Sequence, residues 1–129
     1  MNQITFRLKQ GQFLREGIEE RTMERGIKAG VLLSIVGGLE NVVLRMAGAT
    51  PENQTVKRMD GPFEIVSGTG TISQNGCHIH ISISEKNGNV IGGHLKDGCR
   101  IALTAEVVIG YFEEIRYQRI HDEKPVLKN

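Results

Sequence analysis

A strict alternation of side chains from Cys77 to Ser84 constrains the fold of this chain more than any other feature. The segment reads CHIHISIS, so isoleucines occupy every second position and polar side chains lie between them. Side chains alternate across a β-strand, whereas a helix repeats every 3.6 residues. The segment is therefore predicted to be a strand whose isoleucines face a core. Its histidines and serines then face solvent, a cavity or another subunit.

Short β-type runs of this kind recur along the chain, separated by turn sequences rich in asparagine and glycine. Residues 63–120 are predicted to form an antiparallel meander, because hairpin signals occur at residues 74–76, 86–89 and 96–98. The predicted strands cover residues 30–37, 41–46, 63–73, 77–84, 89–95 and 99–120.

One main helix is predicted near the N-terminus, over residues 12–26, where Leu14 and Ile18 are four residues apart and Gly26 supplies a stop signal. Residues 47–61 are polar and are predicted to form a long loop that covers a sheet edge or a neighbouring subunit. The predicted fold class is α+β, a mostly antiparallel sheet with one flanking helix. The length of 129 residues fits one domain, 1–129, with residues 120–129 expected to form a flexible tail.

Charge and cysteine content limit the functional classes. Sixteen basic and fifteen acidic residues leave a formal net charge of +1, so no global charge excess drives non-specific binding to nucleic acid. Cys77 and Cys99 lack Cys-x-x-Cys spacing, and no apolar run is long enough for a signal peptide or a membrane span. We therefore expect a soluble, cytoplasmic protein with no membrane partner and with reduced, packed thiols.

The histidines of the alternating strand form a candidate metal site. His78 and His80 share one strand face, and His94 follows a double glycine near the end of the next strand. Residues two apart on a strand have Cα atoms roughly 6 to 7 Å apart, a separation from which two imidazoles can converge on one ion. Three neutral imidazoles with an open fourth position suit Zn²⁺ or a similar divalent cation. The alternative is that the histidines are only the polar face of an exposed sheet.

The series GPFEIVSGTGTIS, CHIHISISEKNGNVIGGHL, GC and TAEVVI, between Gly61 and Ile109, resembles the plants-and-prokaryotes-conserved (PPC) domain, which also occurs beside AT-hooks in plant nuclear proteins. FRLKQGQFLREGIEE and GIKAGVLLSIVGGLENVVLRM precede it in matching order, so the likeness covers almost the whole chain. It implies a homotrimer with a DNA-associated, regulatory role. The sequence lacks an Arg-Gly-Arg-Pro core and has Pro62 where plant members carry a basic residue. The expected partner is DNA or a DNA-bound protein, and direct binding to DNA is the weaker inference because the AT-hook is absent.

The spacing of His78, His80 and His94 also resembles, more distantly, that of acetolactate decarboxylases, zinc enzymes of similar fold. This likeness implies zinc-ligand roles for the three histidines. An enzyme acting on a small oxo or hydroxy acid also needs a proton-transfer group, for which Glu106 in LTAEVVI and Glu64 in PFEIV are candidates. Either glutamate has a salt bridge at a strand edge or subunit interface as its alternative role.

Three functions therefore stay open at this stage. They are a DNA-associated regulatory module, a zinc-dependent enzyme and an architectural trimeric scaffold. The regulatory module ranks first, because the family resemblance is what supports it.

Overall fold

The computed structural model describes residues 1–122 of the chain. Six strands and one helix follow one another in the order strand, helix, then five strands. Their bounds are β1 Asn2–Lys9, α1 Leu14–Glu24, β2 Ala29–Arg45, β3 Val56–Ser73, β4 Gly76–Ser84, β5 Val90–Leu95 and β6 Ile101–Tyr111. The α+β class and the single flanking helix near the N-terminus are confirmed. Helix α1 is too short and too polar to cross a bilayer, and residues 1–122 contain no other helix that could.

All strand pairs are antiparallel, and the sheet has the order β1-β6-β2-β3-β4-β5. The end of β2 also pairs with β5, through Leu44 opposite Leu95 and Arg45 opposite His94. The sheet therefore curls, so that its edge strand β5 meets the end of β2. This closure brings the end of β2 beside the histidine-bearing hairpin.

Strands β3, β4 and β5 form two consecutive hairpins, as predicted. The first turn, at residues 74–75, leads into Gly76 with a φ of 131°, and the second contains Gly88 with a φ of 87°. Both values lie in the region that glycine adopts at little cost. The meander stops there, however, because β6 pairs with β1 and β2 and not with β5. The predicted continuation of the meander through residues 99–120 is therefore wrong.

The last strand is also shorter than predicted and ends at Tyr111. Tyr111 lies opposite Asn2 on β1 and opposite Gly30 on β2, which is where both pairings end. Beyond Tyr111 the ladders give way to separate backbone contacts, in which Phe112 N donates to Ala29 O and Tyr117 N donates to Lys28 O. Tyr117, predicted to lie on the last strand, instead lies in an irregular segment that follows it.

The core confirms the predicted parity of β4. Ile79, Ile81 and Ile83 are all buried, while His80 is exposed and Ser82 is half-buried. Leu14 and Ile18 of α1 are fully buried, and α1 packs closely on β1, since a Cβ on Gly17 would lie 2.8 Å from Leu8 Cδ2. The apolar core includes Ile4, Phe6, Leu8, Leu14, Ile18, Leu32, Leu39, Val42, Leu44, Phe63, Ile72, Ile79, Ile81, Ile83, Leu95, Ile101, Val107 and Ile109.

Three parts of the chain differ from the sequence-based expectation. The predicted strands at residues 30–37 and 41–46 are one strand, β2, which continues through register shifts near Gly37 and Leu39. The loop predicted over residues 47–61 is shorter, because β3 begins at Val56. Strand β1 was not predicted at all, although Ile4, Phe6 and Leu8 alternate with exposed residues along it.

Both cysteines are free and buried, in agreement with the prediction of packed thiols. Burial raises the pKa of Cys77 and of Cys99 to about 11. The thiolate is the reactive form, so neither residue is a nucleophile near neutral pH.

Candidate metal centre

Strand pairing brings the three predicted histidines together. His80 on β4 lies directly opposite His94 on β5, and His78 precedes His80 by two residues on the same face of β4. Residues that lie opposite each other in an antiparallel pair project to the same face of the sheet. All three imidazoles therefore lie on the face of β4 that the isoleucines do not occupy.

The distances between the rings suit a single divalent ion. His78 Nε2 and His80 Nε2 are 3.2 Å apart, and ring centroids in the three pairs are separated by 5.0, 4.9 and 5.5 Å. Taking one ring nitrogen from each residue, all three lie within 4.8 Å of one another. In a tetrahedral zinc site with Zn–N near 2.0–2.1 Å, ligand nitrogens are about 3.3 Å apart. One pair already has this separation, and the third nitrogen lies within 4.8 Å of both.

The three histidines differ in exposure. His94 is 9% exposed, His78 is half-buried and His80 is open to solvent. The arrangement holds two candidate ligands against the sheet and leaves one side of the cluster accessible. This matches zinc sites that keep an open position, since structural sites have all four positions filled by protein.

Burial and neighbouring positive charges favour the neutral form of His78 and His94 by lowering the pKa of each. Burial lowers the pKa of His78, and Arg119, His80 and Arg45 act in the same direction. Burial also lowers the pKa of His94 to about 4, with Arg45, His78, His80 and Lys96 adding to the effect. Neutral imidazole is the form that binds metals, so these two ligands need not lose a proton near neutral pH.

Arg45 is a neighbour of the site that the sequence did not reveal. Its Nη2 lies 3.4 Å from Nδ1 of His94, and the two residues are opposite each other on β2 and β5. A guanidinium can only donate, so Nδ1 of His94 accepts in this contact. A neutral imidazole has one ring nitrogen available as an acceptor. A metal that bound at Nδ1 would therefore compete with Arg45.

Neither predicted catalytic glutamate reaches the histidines. Glu64 lies opposite Ser84, which is four residues, or about 13 Å, along β4 from His80. Glu106 lies on β6 between Arg7 of β1 and Val36 of β2, and Val36 is nine residues before Arg45 on β2. Both carboxylates are exposed on other parts of the sheet.

Two other polar residues were predicted to share the histidine face. Ser82 is half-buried there and its hydroxyl lies 2.7 Å from that of Ser67 on β3. Ser84 is also half-buried and lies at the end of β4, opposite Glu64. Neither serine is hydrogen-bonded to one of the clustered histidines in the described residues.

Comparison with known proteins identifies relatives of this fold. Residues 1–113 match the family model described as the Plants and Prokaryotes Conserved (PCC) domain. Among solved structures, a hypothetical protein from Salmonella enterica has 29% sequence identity and a TM-score of 0.85, covering 92% of this chain and 83% of that one. A metal-containing protein from Archaeoglobus fulgidus has 30% identity and a TM-score of 0.73, covering 84% of this chain and 78% of that one.

Curated relatives are much longer than this chain. Bifunctional protein GlmU of Synechococcus sp. (strain JA-2-3B'a(2-13)) is 34% identical over 116 residues, which are 90% of this chain and 18% of that protein. AT-hook motif nuclear-localized protein 13 of Arabidopsis thaliana is 32% identical in an alignment of 98 positions that covers 68% of this chain and 22% of that protein. The chain thus spans less than a quarter of either relative. The family match over residues 1–113, in agreement with the resemblance seen in the sequence, shows that this chain belongs to the PCC domain family.

Proposed function

We propose that this chain is a metal-binding PCC module in which His78, His80 and His94 hold Zn²⁺ or a similar divalent cation. The observation that carries the proposal is the convergence of three imidazole nitrogens within 4.8 Å on one accessible face. The description of the Archaeoglobus relative as metal-containing supports it. Three nitrogen ligands and an open position favour zinc over magnesium or calcium, which prefer oxygen ligands.

Such a metal supplies Lewis acidity: with one open position it can polarise a bound carbonyl group or lower the pKa of bound water. The protein contributes the rest. Strand pairing fixes His80 and His94 relative to each other, and burial keeps His94 neutral. A zinc-dependent enzyme on a small oxo or hydroxy acid is the second candidate. An open position on the proposed metal supports it, and the distance of Glu64 and Glu106 from the histidines ranks it second.

Metal content tests the proposal. We expect about one zinc per chain in protein purified without chelator, and loss of most of it in His94→Gln, because removing one of three ligands leaves too few to hold the ion. His121→Gln is the matched control, since His121 is exposed and outside the cluster. Zinc-free parent protein that takes up no added metal would contradict the proposal, as would equal metal content in the two variants.

We further propose that the module acts in DNA-associated complexes through a protein partner. The plant AT-hook relative supports a DNA-associated setting, and the net charge of +1 argues against strong non-specific binding by this chain alone. A duplex-binding assay at low salt tests this. We expect no salt-sensitive DNA binding by the chain alone. DNA binding that weakens steeply with salt would show direct contact with DNA and contradict the proposal that a protein partner makes this contact.

We propose a homotrimer as the assembled form. The resemblance implies it, and three exposed apolar side chains on adjacent strands give it a surface: Val36 is 58% exposed, Val66 52% and Leu103 73%. Apolar side chains of this size at one place on a sheet are typical of subunit contacts. Sedimentation equilibrium is expected to give three times the chain mass for the parent protein and a smaller species for Val66→Asp. A monomeric parent would contradict the proposal, and the architectural scaffold with it.

A further inference from the structure

Three positive side chains act on the histidine cluster. Arg45 reaches His94 from β2, with 3.4 Å between Nη2 and Nδ1. Lys96 follows His94 by two residues just after β5, and its charge acts on His94. Arg119, in the segment after β6, acts on His78. The charged side chains that act on these two imidazoles are thus all cationic.

The segment that carries Arg119 is held in place by backbone contacts. Tyr117 N donates to Lys28 O, and Gln74 N donates to Tyr117 O. The side chain of Asn75 makes two hydrogen bonds to the backbone of Arg119. Its Nδ2 donates to Arg119 O at 3.0 Å, and its Oδ1 accepts from Arg119 N at 2.9 Å. The backbone at Arg119 is therefore fixed beside the β3–β4 turn, while its side chain is exposed.

A cleft of about 800 Å³ separates this segment from the sheet. Its lining includes Thr71, Ser73, Asn75, Tyr117, Arg119 and Ile120. Thr71 lies opposite His78 in the β3–β4 pairing, so the cleft opens on the same sheet face as the histidine cluster and next to it. Polar groups from the sheet and apolar surface from Tyr117 and Ile120 meet in this cleft.

The positive charge around the histidine cluster favours an anion as the further ligand of a bound metal ion. Three neutral imidazoles leave the full +2 charge of a divalent ion uncompensated, and Arg45, Lys96 and Arg119 add positive charge around it. Metal-bound imidazoles usually have carboxylate or carbonyl partners nearby, whereas here the partner of His94 is a guanidinium. An anion at the open position relieves this repulsion, and Glu64 and Glu106 are too distant to provide one.

We infer that the histidine cluster and the adjoining cleft form a binding site for a small organic carboxylate, with Arg45 and Arg119 as its charge-pairing residues. This inference rests on the proposed metal function. A carboxylate accepts paired hydrogen bonds from a guanidinium, and Arg45 becomes free to donate once a metal occupies the His94 nitrogen that it contacts. The cleft gives the carbon skeleton of the acid apolar surface at Tyr117 and Ile120, which an inorganic anion cannot use.

Cobalt-loaded protein provides the test, because the visible absorption of Co²⁺ reports both uptake of the metal and a change in its ligands. Lactate is the probe and neutral lactamide the matched control. We expect lactate to change the Co²⁺ spectrum in a saturable way and lactamide to leave it unchanged. Arg119→Ala is expected to weaken lactate binding about tenfold with unchanged Co²⁺ content. Arg116→Ala, in the same segment, is expected to bind lactate like the parent.

The outcomes separate this inference from the metal proposal. Failure to take up Co²⁺ would overturn the metal site, and the carboxylate site with it. Normal uptake without any response to lactate would overturn the carboxylate site alone, as would equal lactate affinity in Arg119→Ala and Arg116→Ala. A stronger response to inorganic phosphate than to lactate would overturn the assignment to an organic acid. Arg119→Ala keeps the segment docked, because Asn75 holds only the backbone of Arg119.

Discussion

His80 on β4 and His94 on β5 lie directly opposite each other, with their ring centroids 5.5 Å apart. A strand pairing, and not a loop, sets this contact. The pairing is in turn secured by the core beneath it, where Ile81 and Ile83 are buried. The geometry of the candidate metal centre is therefore a direct consequence of the alternation that begins at Cys77.

The alternation itself is testable by two neighbouring substitutions on β4. Ile81→Ala removes a buried side chain and is expected to lower the free energy of unfolding by about 2–5 kcal/mol. Ser82→Ala changes the opposite face and is expected to cost less than about 1 kcal/mol, because its partner Ser67 is exposed. Urea denaturation measures both. Equal losses in the two variants would show that the strand is not oriented as described.

Arg45 is expected to oppose metal binding while it supports anion binding. Arg45→Gln removes a positive charge beside His94 and a competitor for its Nδ1, so zinc affinity is expected to rise about tenfold. The same variant is expected to bind lactate more weakly once Co²⁺ is in place, since the carboxylate loses a donor. Competition with a chromophoric chelator measures the first effect, and the Co²⁺ spectrum measures the second. Lys57→Gln, at an exposed position of β3, is a control for loss of charge alone.

The metal-free protein is expected to lose stability as the pH falls from about 6.5 toward 4. Burial and then Arg45 hold the pKa of His94 at about 4 in the folded chain, below its usual 6.5. Between these values the unfolded chain binds more protons than the folded one, so unfolding becomes easier as the pH drops through this window. The contribution is fully present above about pH 6.5. Urea midpoints of chelator-treated protein at several pH values measure the trend.

His94→Gln isolates this effect, because glutamine does not titrate. Its urea midpoint is expected to fall less than that of the parent over the same pH range, although both share all other titrating groups. Parallel pH profiles for the two proteins would show that His94 is not the group responsible.

The segment after β6 is expected to depend on Asn75. Asn75→Ala deletes both side-chain hydrogen bonds to the backbone of Arg119, so the segment is expected to detach more often from the β3–β4 turn. Trypsin cleavage after Arg116 and Arg119 should then be several-fold faster than in the parent protein. Asn87→Ala, in the β4–β5 turn, is the matched control and should cleave at the parental rate. An unchanged rate for Asn75→Ala would mean that the two bonds do not hold the segment.

Local patterns predicted the parts of the site that depend on neighbouring residues. The parity of β4 follows from its two-residue repeat, and the two hairpins follow from turns at Gly76 and Gly88. Together these suffice to bring His94 back beside His80. The family resemblance rested on the same hairpin, and the match over residues 1–113 bears it out.

Contacts that depend on long-range register could not be predicted in this way. Nothing local indicates that Arg45, at the end of β2, lies opposite His94, since this requires the sheet to curl back on itself. Strand β6 ends at Tyr111 because its pairings with β1 and β2 end there. The sequence gives no sign of this end, since residues beyond Tyr111 are still rich in aromatic and β-branched side chains. Arg119 was likewise missed, because its position depends on Asn75 in a distant turn.

X-ray absorption spectroscopy of zinc-loaded protein at the zinc edge would test the metal centre most directly. The account predicts a first shell of nitrogen and oxygen atoms near 2.0–2.1 Å, with outer-shell scattering from three imidazoles in the parent protein and in His121→Gln. A shell that contains sulfur, or outer-shell scattering from only one imidazole, would contradict binding by His78, His80 and His94.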